Sequence, residues 1–445
     1  MYFDSLSKLL CQIERKPLFL RFNPTPFDFT DKDSVNEMQF FLPDGVTFQI
    51  LLKDESLPLV LSMLHLSVFS GDNKVFAWDW KSFISHVLAK TGKLYSIESS
   101  VVDLKILESY NGIKKSCPET FVECFNRIKY LVSSGLWKDC ENIYKKIHLP
   151  LMTNVIPYLE TVGILDLNAG KKVHAHYEID GQENGRLRCH NAFKNGFVPH
   201  AMGSDIKEKL KPVGYDSLFM AFDYKGMEAF VLAYLSKDER LMSFCQEEDI
   251  YASLAKSLFG SNSEKIDREL VKKCFLPVIY GQSARSLSLR CGMAADVAEG
   301  VVERISSLFN TALSFVADCE EKVKQNGFAK DVFGKRRNNF ELGKEYLARN
   351  FAVQSPASTI CLEKLINLHI SIQNLNQSLK DKAQISYTVH DGYVLYVTKD
   401  NWKQVYKRSM EALCGESELC PGLRLKVSCR GGRNLNDLKM IKDRK

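Results

Sequence analysis

Three segments of this chain carry residues whose types and spacing could do chemistry. The first is MAFDYKG (220–226), where Asp223 lies at the point at which an apolar, strand-like run gives way to a helix-like one. A carboxylate held at a strand end is well placed to bind a metal ion. The second is Arg268, Lys272, Leu276 and Tyr280, followed by Gly281. Four-residue steps put these four side chains along one face of a helix. Two cations and an aromatic ring on one face suit a triphosphate and a stacked base. The third is YTVHDGYVLYV (387–397), which reads as two apolar strands meeting at His390-Asp391. Asp391 would be a second carboxylate, at a hairpin tip, able to meet Asp223. Each segment alone has a plainer reading. An Asp at a strand end is ordinarily a turn or cap residue, and Arg and Lys on a helix ordinarily form a solvated face. The order and spacing of the three together shift the balance towards chemistry.

The elements that must position these residues belong to a chain of ordinary globular composition. It has 445 residues, 45% hydrophobic and 26% charged. That length allows roughly two to four folded units, and that balance excludes a wholly disordered, collagen-like or coiled-coil protein. No apolar run approaches the roughly 18–20 residues needed to span a bilayer. Residues 1–16 lack the basic, apolar and small order of a secretion signal. The expectation is a cytoplasmic protein with no membrane partner. The 13 cysteines are scattered without a C-x-x-C pair, and Cys414, Cys420 and Cys429 have poor zinc spacing and no nearby histidine. They read as free thiols in a reducing compartment. A net charge of +6 is a weak pointer to a polyanionic partner.

Strand-like runs occupy 17–22, 37–42 and 46–52, with Pro43-Asp44-Gly45 as a turn, and another covers 75–80. A helical stretch is expected around 55–70, and apolar spacing predicts a helix over 101–110. Residues 118–165 read as all-helical. The break LNAGKK (167–172) reads as a domain boundary. Further on, 227–246 reads as one long helix and 263–281 as another.

Taken in order, these motifs resemble those of the family A DNA polymerases, the DNA polymerase I family. DYKGMEAFVLAYLS (223–236) is similar to motif A, commonly DYSQIELRVLAHLS. Arg268-x3-Lys272-x3-Leu276-x3-Tyr280-Gly281 resembles motif B, and VHDGYVLYV (389–397) resembles motif C, commonly VHDE. GRLRCHN (185–191) is similar to TGRLSSS, GFAKDVFGKRR (327–337) to GYVxTxxGRRR, and NFAVQSPAS (350–358) to NxxxQGTAAD. LRLKVSCRGGRNLNDL (423–438) resembles the family's last strand, so the likeness covers roughly 166–445.

The resemblance implies a multidomain fold of α+β and α/β character. It comprises an N-terminal RNase H-like domain of the 3′–5′ exonuclease type (1–115), a helical connector in the thumb region (116–168), a palm on an antiparallel sheet (169–240 and 321–445) and helical fingers (241–320). It implies a template-directed DNA polymerase that adds dNTPs to the primer 3′-end of primer–template DNA. Two Mg²⁺ ions, with Mn²⁺ as an alternative, would be held by Asp223, Asp391 and the backbone carbonyl of Tyr224. Arg268 and Lys272 would grip the triphosphate, and Lys272 would also protonate the leaving group. Leu276, Tyr280 and Gly281 would complete the nucleotide site. Glu228 occupies the steric-gate position, favouring dNTP over rNTP. Arg186 would read the minor groove at the primer end. His390 and Gln354 would place the primer terminus and template, and Asn350, Arg336 and Arg337 lie in DNA-binding segments. The implied source is bacterial, phage or plasmid.

The chain also departs from the family. Leu276 replaces the usual Phe or Tyr, with Phe275 one step off, and Gly392 replaces the Glu after Asp391. Phe230 stands where the family has Arg, and the NLQN element is not clear in AFKNGFVP (192–199). Pro277 falls inside the motif B helix, where a proline typically costs about 3 kcal/mol and bends the helix. KKVHAHYEIDGQENGRL follows the connector almost at once, so the thumb is reduced or absent. The expected consequences are low processivity, or a partner that supplies the grip, and DNA binding that weakens steeply with salt. The first exonuclease strand lacks its D-x-E, and Asp79 and Asp103 read as surface or cap residues. The exonuclease-type domain therefore reads as degenerate, without proofreading. Two alternatives remain. One is a single-subunit RNA polymerase or primase, which Leu276 suits and Glu228 opposes. The other is a catalytically inert DNA-binding scaffold, opposed by the retention of Asp223, Asp391, Arg268, Lys272 and Tyr280.

Overall fold

The structure, a computed structural model, describes residues 17–23, 27–31, 36–52, 57, 75–93, 101–167, 170–214, 216–259 and 268–441. The helix expected around 55–70, Leu57 apart, and the head of the helix expected from 263 lie outside the described residues.

The chain opens with β1 (Leu18–Asn23), β2 (Asn36–Phe41) and β3 (Thr47–Leu52), an antiparallel meander. The expected Pro43-Asp44-Gly45 turn joins the last two, and Gly45 takes a φ of 85° that favours glycine. β4 (Val75–Trp78) and β5 (Val101–Asp103) add in parallel beyond β1, giving the order β3-β2-β1-β4-β5. Leu18, Phe19, Leu20 and all of β4 are buried, as central strands covered on both faces require. The helix α1 (Trp80–Thr91) stacks Phe83 on Phe22 of β1, with ring centroids 4.7 Å apart.

The helix expected over 101–110 is in fact β5 followed by α2 (Leu104–Tyr110). Asp103 makes the switch, because its carboxylate accepts the Lys105 and Ile106 N–H groups and so caps α2. The connector is helical as expected. It comprises α3 (Phe121–Ser133), α4 (Leu136–Ile143), π-helical turns at Tyr144–His148 and Leu151–Val155, and α5 (Ile156–Val162). Short strands follow: β6 (Ile164–Asp166), β7 (Lys171–Val173), β8 (His176–Glu178) and β9 (Arg188–His190). Then come α6 (Ser204–Lys209), β10 (Leu210–Lys211) and β11 (Ser217–Tyr224).

The long helix expected over 227–246 is two, α7 (Met227–Ser236) and α8 (Glu239–Gln246). Lys237 takes a left-handed φ of 55°, and Asp238 caps α8 by accepting the Leu241 N–H. Among the described residues, α9 (Ile250–Phe259), α10 (Arg268–Ile279), α11 (Ala284–Cys291), α12 (Ala295–Leu308) and α13 (Asn310–Asn326) follow. A hairpin of β12 (Ala329–Lys330) and β13 (Arg336–Arg337) leads to α14 (Leu347–Asn376). The chain ends with β14 (Gln384–Val389), β15 (Gly392–Thr398), α15 (Trp402–Cys414), β16 (Val427–Gly432) and β17 (Lys439–Met440). The second large sheet has the order β14-β15-β11-β16-β17, with β14–β15 and β16–β17 antiparallel.

The chain divides into two compact units. One is Met1–Phe222, Leu362–Leu413 and Cys429–Lys445, and the other is Asp223–Cys361 and Cys414–Ser428. Within the first, the Lys399 N–H donates to the Asp216 carbonyl, linking the end of β15 to the start of β11, so these strands run antiparallel. Among the described residues no helix is long and apolar enough to cross a membrane.

In the first unit, Asp79 and Asp103, two carboxylates read as surface or cap residues, are both buried, and Asp103 is a cap as expected. Asp79 is buried and takes hydrogen bonds from Lys105 Nζ (3.1 Å) and Ser82 Oγ (3.0 Å). Burial pushes the Asp79 carboxyl up, but Lys105 and Lys81 outweigh it and bring it to about 2. Burial, and then the Asp79 charge, push Asp103 up to about 6. A second buried network centres on Glu160 of α5. It accepts from Lys81 Nζ (2.8 Å), Ser85 Oγ (2.5 Å) and the Tyr177 N–H (2.9 Å), with His176 Nδ1 at 3.2 Å. Burial raises the Glu160 carboxyl, but Lys81 and His176 pull it down to about 2. This network ties α1, α5 and β8 together.

Candidate active site

In the second unit, Asp223 is exposed at the end of β11, and its backbone carbonyl accepts from Ser428 Oγ at 3.2 Å. Tyr224 beside it is buried. Gly226 then turns the chain into α7 with a φ of 71°, and a Cβ there would lie 3.3 Å from Ile250 Cγ2. This turn puts Glu228 in the first turn of α7, where the helix dipole favours an anion. Glu228 is half-buried and accepts from Tyr280 Oη at 2.8 Å and from Gln354 Nε2 at 3.2 Å. Residues far apart in sequence therefore meet on one carboxylate.

α10 supplies the motif B face. Its other face, with Val271, Cys274, Phe275, Val278 and Ile279, is buried. Phe275 is fully buried against Phe309, with ring centroids 5.4 Å apart, so it does not stand in for the aromatic residue missing at Leu276. The helix runs through Pro277 and ends two residues later at Ile279, where the Tyr280 N–H still reaches the Leu276 carbonyl at 2.9 Å. The proline removes the hydrogen bond to the Lys273 carbonyl, near a helix end where one missing bond matters least. Gly281 has a φ of 91°, and a Cβ there would lie 2.8 Å from Arg349 Nη1. The positive φ thus favours glycine at the position after Tyr280.

A cleft of about 710 Å³ opens along this face, lined by Glu228, Lys272, Leu276, Tyr280, Gly281, Asn350 and Gln354. That volume is ordinary for a small-molecule site. Lys272 is exposed and makes no hydrogen bond or ion pair with a described residue, and Asn350 Oδ1 is buried without a hydrogen-bond partner among the described residues. The sequence reading missed Lys273, Arg290 and Tyr346, which also line the cleft. Arg268 is not among the lining residues. Its Nε pairs with Asp249 Oδ2 and its Nη1 with Glu269, and its guanidinium lies over the Tyr251 ring, 5.8 Å from the centroid. Asp249 was also missed, although an Asp just before the apolar pattern of α9 is a readable cap signal.

Arg336 and Arg337 sit on β13, over the rings of Phe328 and Phe340 at 4.6 and 4.9 Å. Asp331 holds this hairpin. It accepts the Phe333 and Lys335 N–H groups and the Ser355 hydroxyl at 2.6 Å, which ties the hairpin to α14.

In the first unit, His390 and Asp391 form the tip of the β14–β15 hairpin, as expected, with His390 at a φ of 52°. The approach to the tip is fixed by buried Tyr177, whose Oη accepts the Thr388 N–H (3.0 Å) and donates to the Thr388 carbonyl (3.1 Å). The His200 ring lies 4.7 Å from the His390 ring. Burial, then the Arg186 charge, lowers the His390 pKa below the ordinary histidine value. Burial, then His390 and Arg186, does the same for His200. Both rings are therefore mainly neutral at pH 7. His200 and Tyr177 were not singled out from sequence, because nothing local marks them.

The family model for DNA polymerase family A matches residues 144–437. The chain is 28% identical to DNA polymerase I of Chloroflexus aurantiacus over 243 residues, 52% of this chain and 25% of that protein. It is 28% identical to the thermostable DNA polymerase I of Thermus aquaticus over 271 residues, 58% of this chain and 32% of that protein. The chain thus spans a third or less of the length of these relatives. Among solved structures, the POL domain of Pol1 from M. smegmatis, in complex with DNA primer-template and dNTP, superposes with a TM-score of 0.73. The identity is 16%, and the match covers 97% of this chain and 98% of that one, which is a likeness of fold. The family match extends over well more than half of the residues, and on that span the chain belongs to DNA polymerase family A.

Proposed function

We propose that this chain is a template-directed DNA polymerase that adds dNTPs to a primer 3′-end by two-metal phosphoryl transfer. The observation that carries the reading is the cleft along α10, with Lys272, Leu276 and Tyr280 on one wall and a hydrogen-bonded Glu228 on another. Phosphoryl transfer is mostly positioning and charge neutralisation. Lys272 grips the triphosphate and protonates the departing pyrophosphate, Arg268 adds a second cation, and Tyr280 packs beside the templating pair. Glu228 crowds a 2′-hydroxyl, which weighs against RNA synthesis. Arg186 and His390 act at the primer terminus, and Asn350, Gln354, Arg336 and Arg337 on the DNA.

The metal site is read from Asp223, Asp391 and the Tyr224 carbonyl. Within the first unit, Phe222 and Gly392, the covalent neighbours of the two acids, lie at the same end of antiparallel β11 and β15. Hard oxygen donors fit Mg²⁺ and accept Mn²⁺. Phosphate oxygens of the nucleotide would complete the coordination. When bound, the ions activate the primer 3′-oxygen and stabilise the leaving pyrophosphate.

Two further features follow. Among the described residues no α-helix lies between Val162 and Ser204, which supports a reduced thumb. Fewer phosphate contacts imply low processivity and a steep loss of binding with salt, unless a partner supplies the grip. The β3-β2-β1-β4-β5 order supports an exonuclease-type N-terminal domain. Its β1 carries no acid, and Lys105 holds Asp79, so the domain is read as lacking proofreading. Primer extension with Mg²⁺, comparing dNTPs, rNTPs and Asp223→Ala across a salt series, tests the whole reading. Distributive dNTP addition that vanishes with Asp223→Ala is expected. DNA binding without any synthesis would overturn it in favour of an inert scaffold.

A further inference from the structure

Arg268 begins the motif B face, yet its guanidinium is engaged by carboxylates and not directed at the cleft that Lys272 lines. We propose that Asp249 is a positioning residue that holds Arg268 in reserve, so that triphosphate binding must exchange a carboxylate partner for phosphate oxygens. The proposal rests on the reading of Arg268 as a triphosphate ligand. Three observations carry it. Asp249 does not owe its place to the arginine, because its Oδ1 caps α9 by accepting the Tyr251 and Ala252 N–H groups at 3.0 and 3.2 Å. The other oxygen, Oδ2, is thereby presented to Arg268 Nε as a fixed anion. Tyr251, in the first turn of the same helix, carries the ring over which the guanidinium lies, so one helix start supplies both contacts.

The exchange is physically feasible. Both partners are about two-fifths exposed, at 42% and 38%, and an exposed ion pair shifts an equilibrium only modestly. Bidentate contacts from arginine to phosphate oxygens are stronger. Asp249 therefore acts as a placeholder that a triphosphate displaces and that lowers apparent affinity for the incoming nucleotide. Its negative charge, with that of Glu269, also opposes the approach of a triphosphate, and both effects act in the same direction.

The test is single-nucleotide addition on a primed template, with dNTP KM and kcat measured separately. The variants are Asp249→Asn, Asp249→Ser, Arg268→Ala and the double variant Asp249→Asn/Arg268→Ala. Asn and Ser both keep a side-chain oxygen for the α9 cap and remove the charge. Each should lower KM by roughly two- to fivefold with kcat little changed. The gain should shrink as ionic strength rises. Most of it should be lost in the Arg268→Ala background, leaving only the small salt-sensitive part due to charge repulsion, a coupling that a purely structural role for Asp249 would not produce. If Arg268→Ala raises KM while both Asp249 variants leave it unchanged or raise it, Asp249 is only a cap and the inference fails. If Arg268→Ala leaves KM unchanged, the reading of Arg268 itself fails, and the inference with it.

Discussion

Replacing Glu228 with Ala should convert a sugar-selective site into a tolerant one, and the structure sets the scale. For a 2′-hydroxyl to enter beside Glu228, the carboxylate must move, and to move it must give up hydrogen bonds from Tyr280 Oη at 2.8 Å and Gln354 Nε2 at 3.2 Å. A hydrogen bond to a charged group contributes about 1.5–3 kcal/mol. Losing one such bond corresponds to a discrimination of about 10- to 150-fold against the ribonucleotide. Glu228→Ala removes the obstacle, so the ratio of dNTP to rNTP incorporation should fall by that order. Tyr280→Phe keeps the ring and removes one of the bonds, leaving the gate in place but looser. Its ratio should fall by a smaller factor than that of Glu228→Ala. The assay is single-nucleotide insertion opposite a fixed template base, with kcat/KM determined for each sugar. Unchanged selectivity in Glu228→Ala would refute the gate. A Tyr280→Phe ratio equal to wild type, alongside a large Glu228→Ala effect, would refute the argument that the hydrogen bonds give the gate its stiffness.

Other outcomes follow from the same geometry. Asp223→Ala and Asp391→Ala should each lower nucleotide addition by roughly a hundred- to thousandfold or more, with circular dichroism unchanged. Gly281→Ala should raise the dNTP KM and lower stability by about 1 kcal/mol or more, since alanine there is strained at positive φ and its Cβ meets Arg349. Thermal melts and steady-state kinetics would check it. Glu160→Gln leaves buried Lys81 without its ion-pair partner and should cost about 3–5 kcal/mol, read as a lower Tm. The carboxyls of Glu160 and Asp79 are both lowered to about 2 in the fold, so their stabilisation is complete above pH ~4.5 and is lost as pH falls towards 2. Asp103, raised to about 6, works in the opposite sense and withdraws stability as pH rises from about 4 to 6. An acid titration of Tm should therefore show a drop below pH ~4.5 that is smaller in Glu160→Gln.

How much of this was readable in one dimension depends on the range of the forces involved. Helix and strand periodicity are local, so the four-residue spacing of Arg268, Lys272, Leu276 and Tyr280, the Pro43-Asp44-Gly45 turn and the His390-Asp391 hairpin tip could be read directly. Element boundaries were less legible where one polar residue decides them. Apolar spacing ran through Asp103 and through Lys237-Asp238, yet at each place a carboxylate caps a new helix and ends the previous element. Periodicity records which face is apolar and not where a side chain captures a backbone N–H.

Partner choice was decided by the tertiary structure alone. Glu228 could be singled out as a candidate gate from its motif. That Tyr280, 52 residues away, and Gln354, 126 residues away, would donate to its carboxylate required the folded chain. The same holds for Tyr177 on Thr388, 211 residues apart, and for His200 beside His390. Asp79 shows the limit most plainly. In sequence it is an acid beside a strand, and in the fold it is buried against Lys105. Residue types specify what a side chain can donate or accept. Which donor reaches which acceptor, and whether water is excluded when it does, is set by the packing of distant elements.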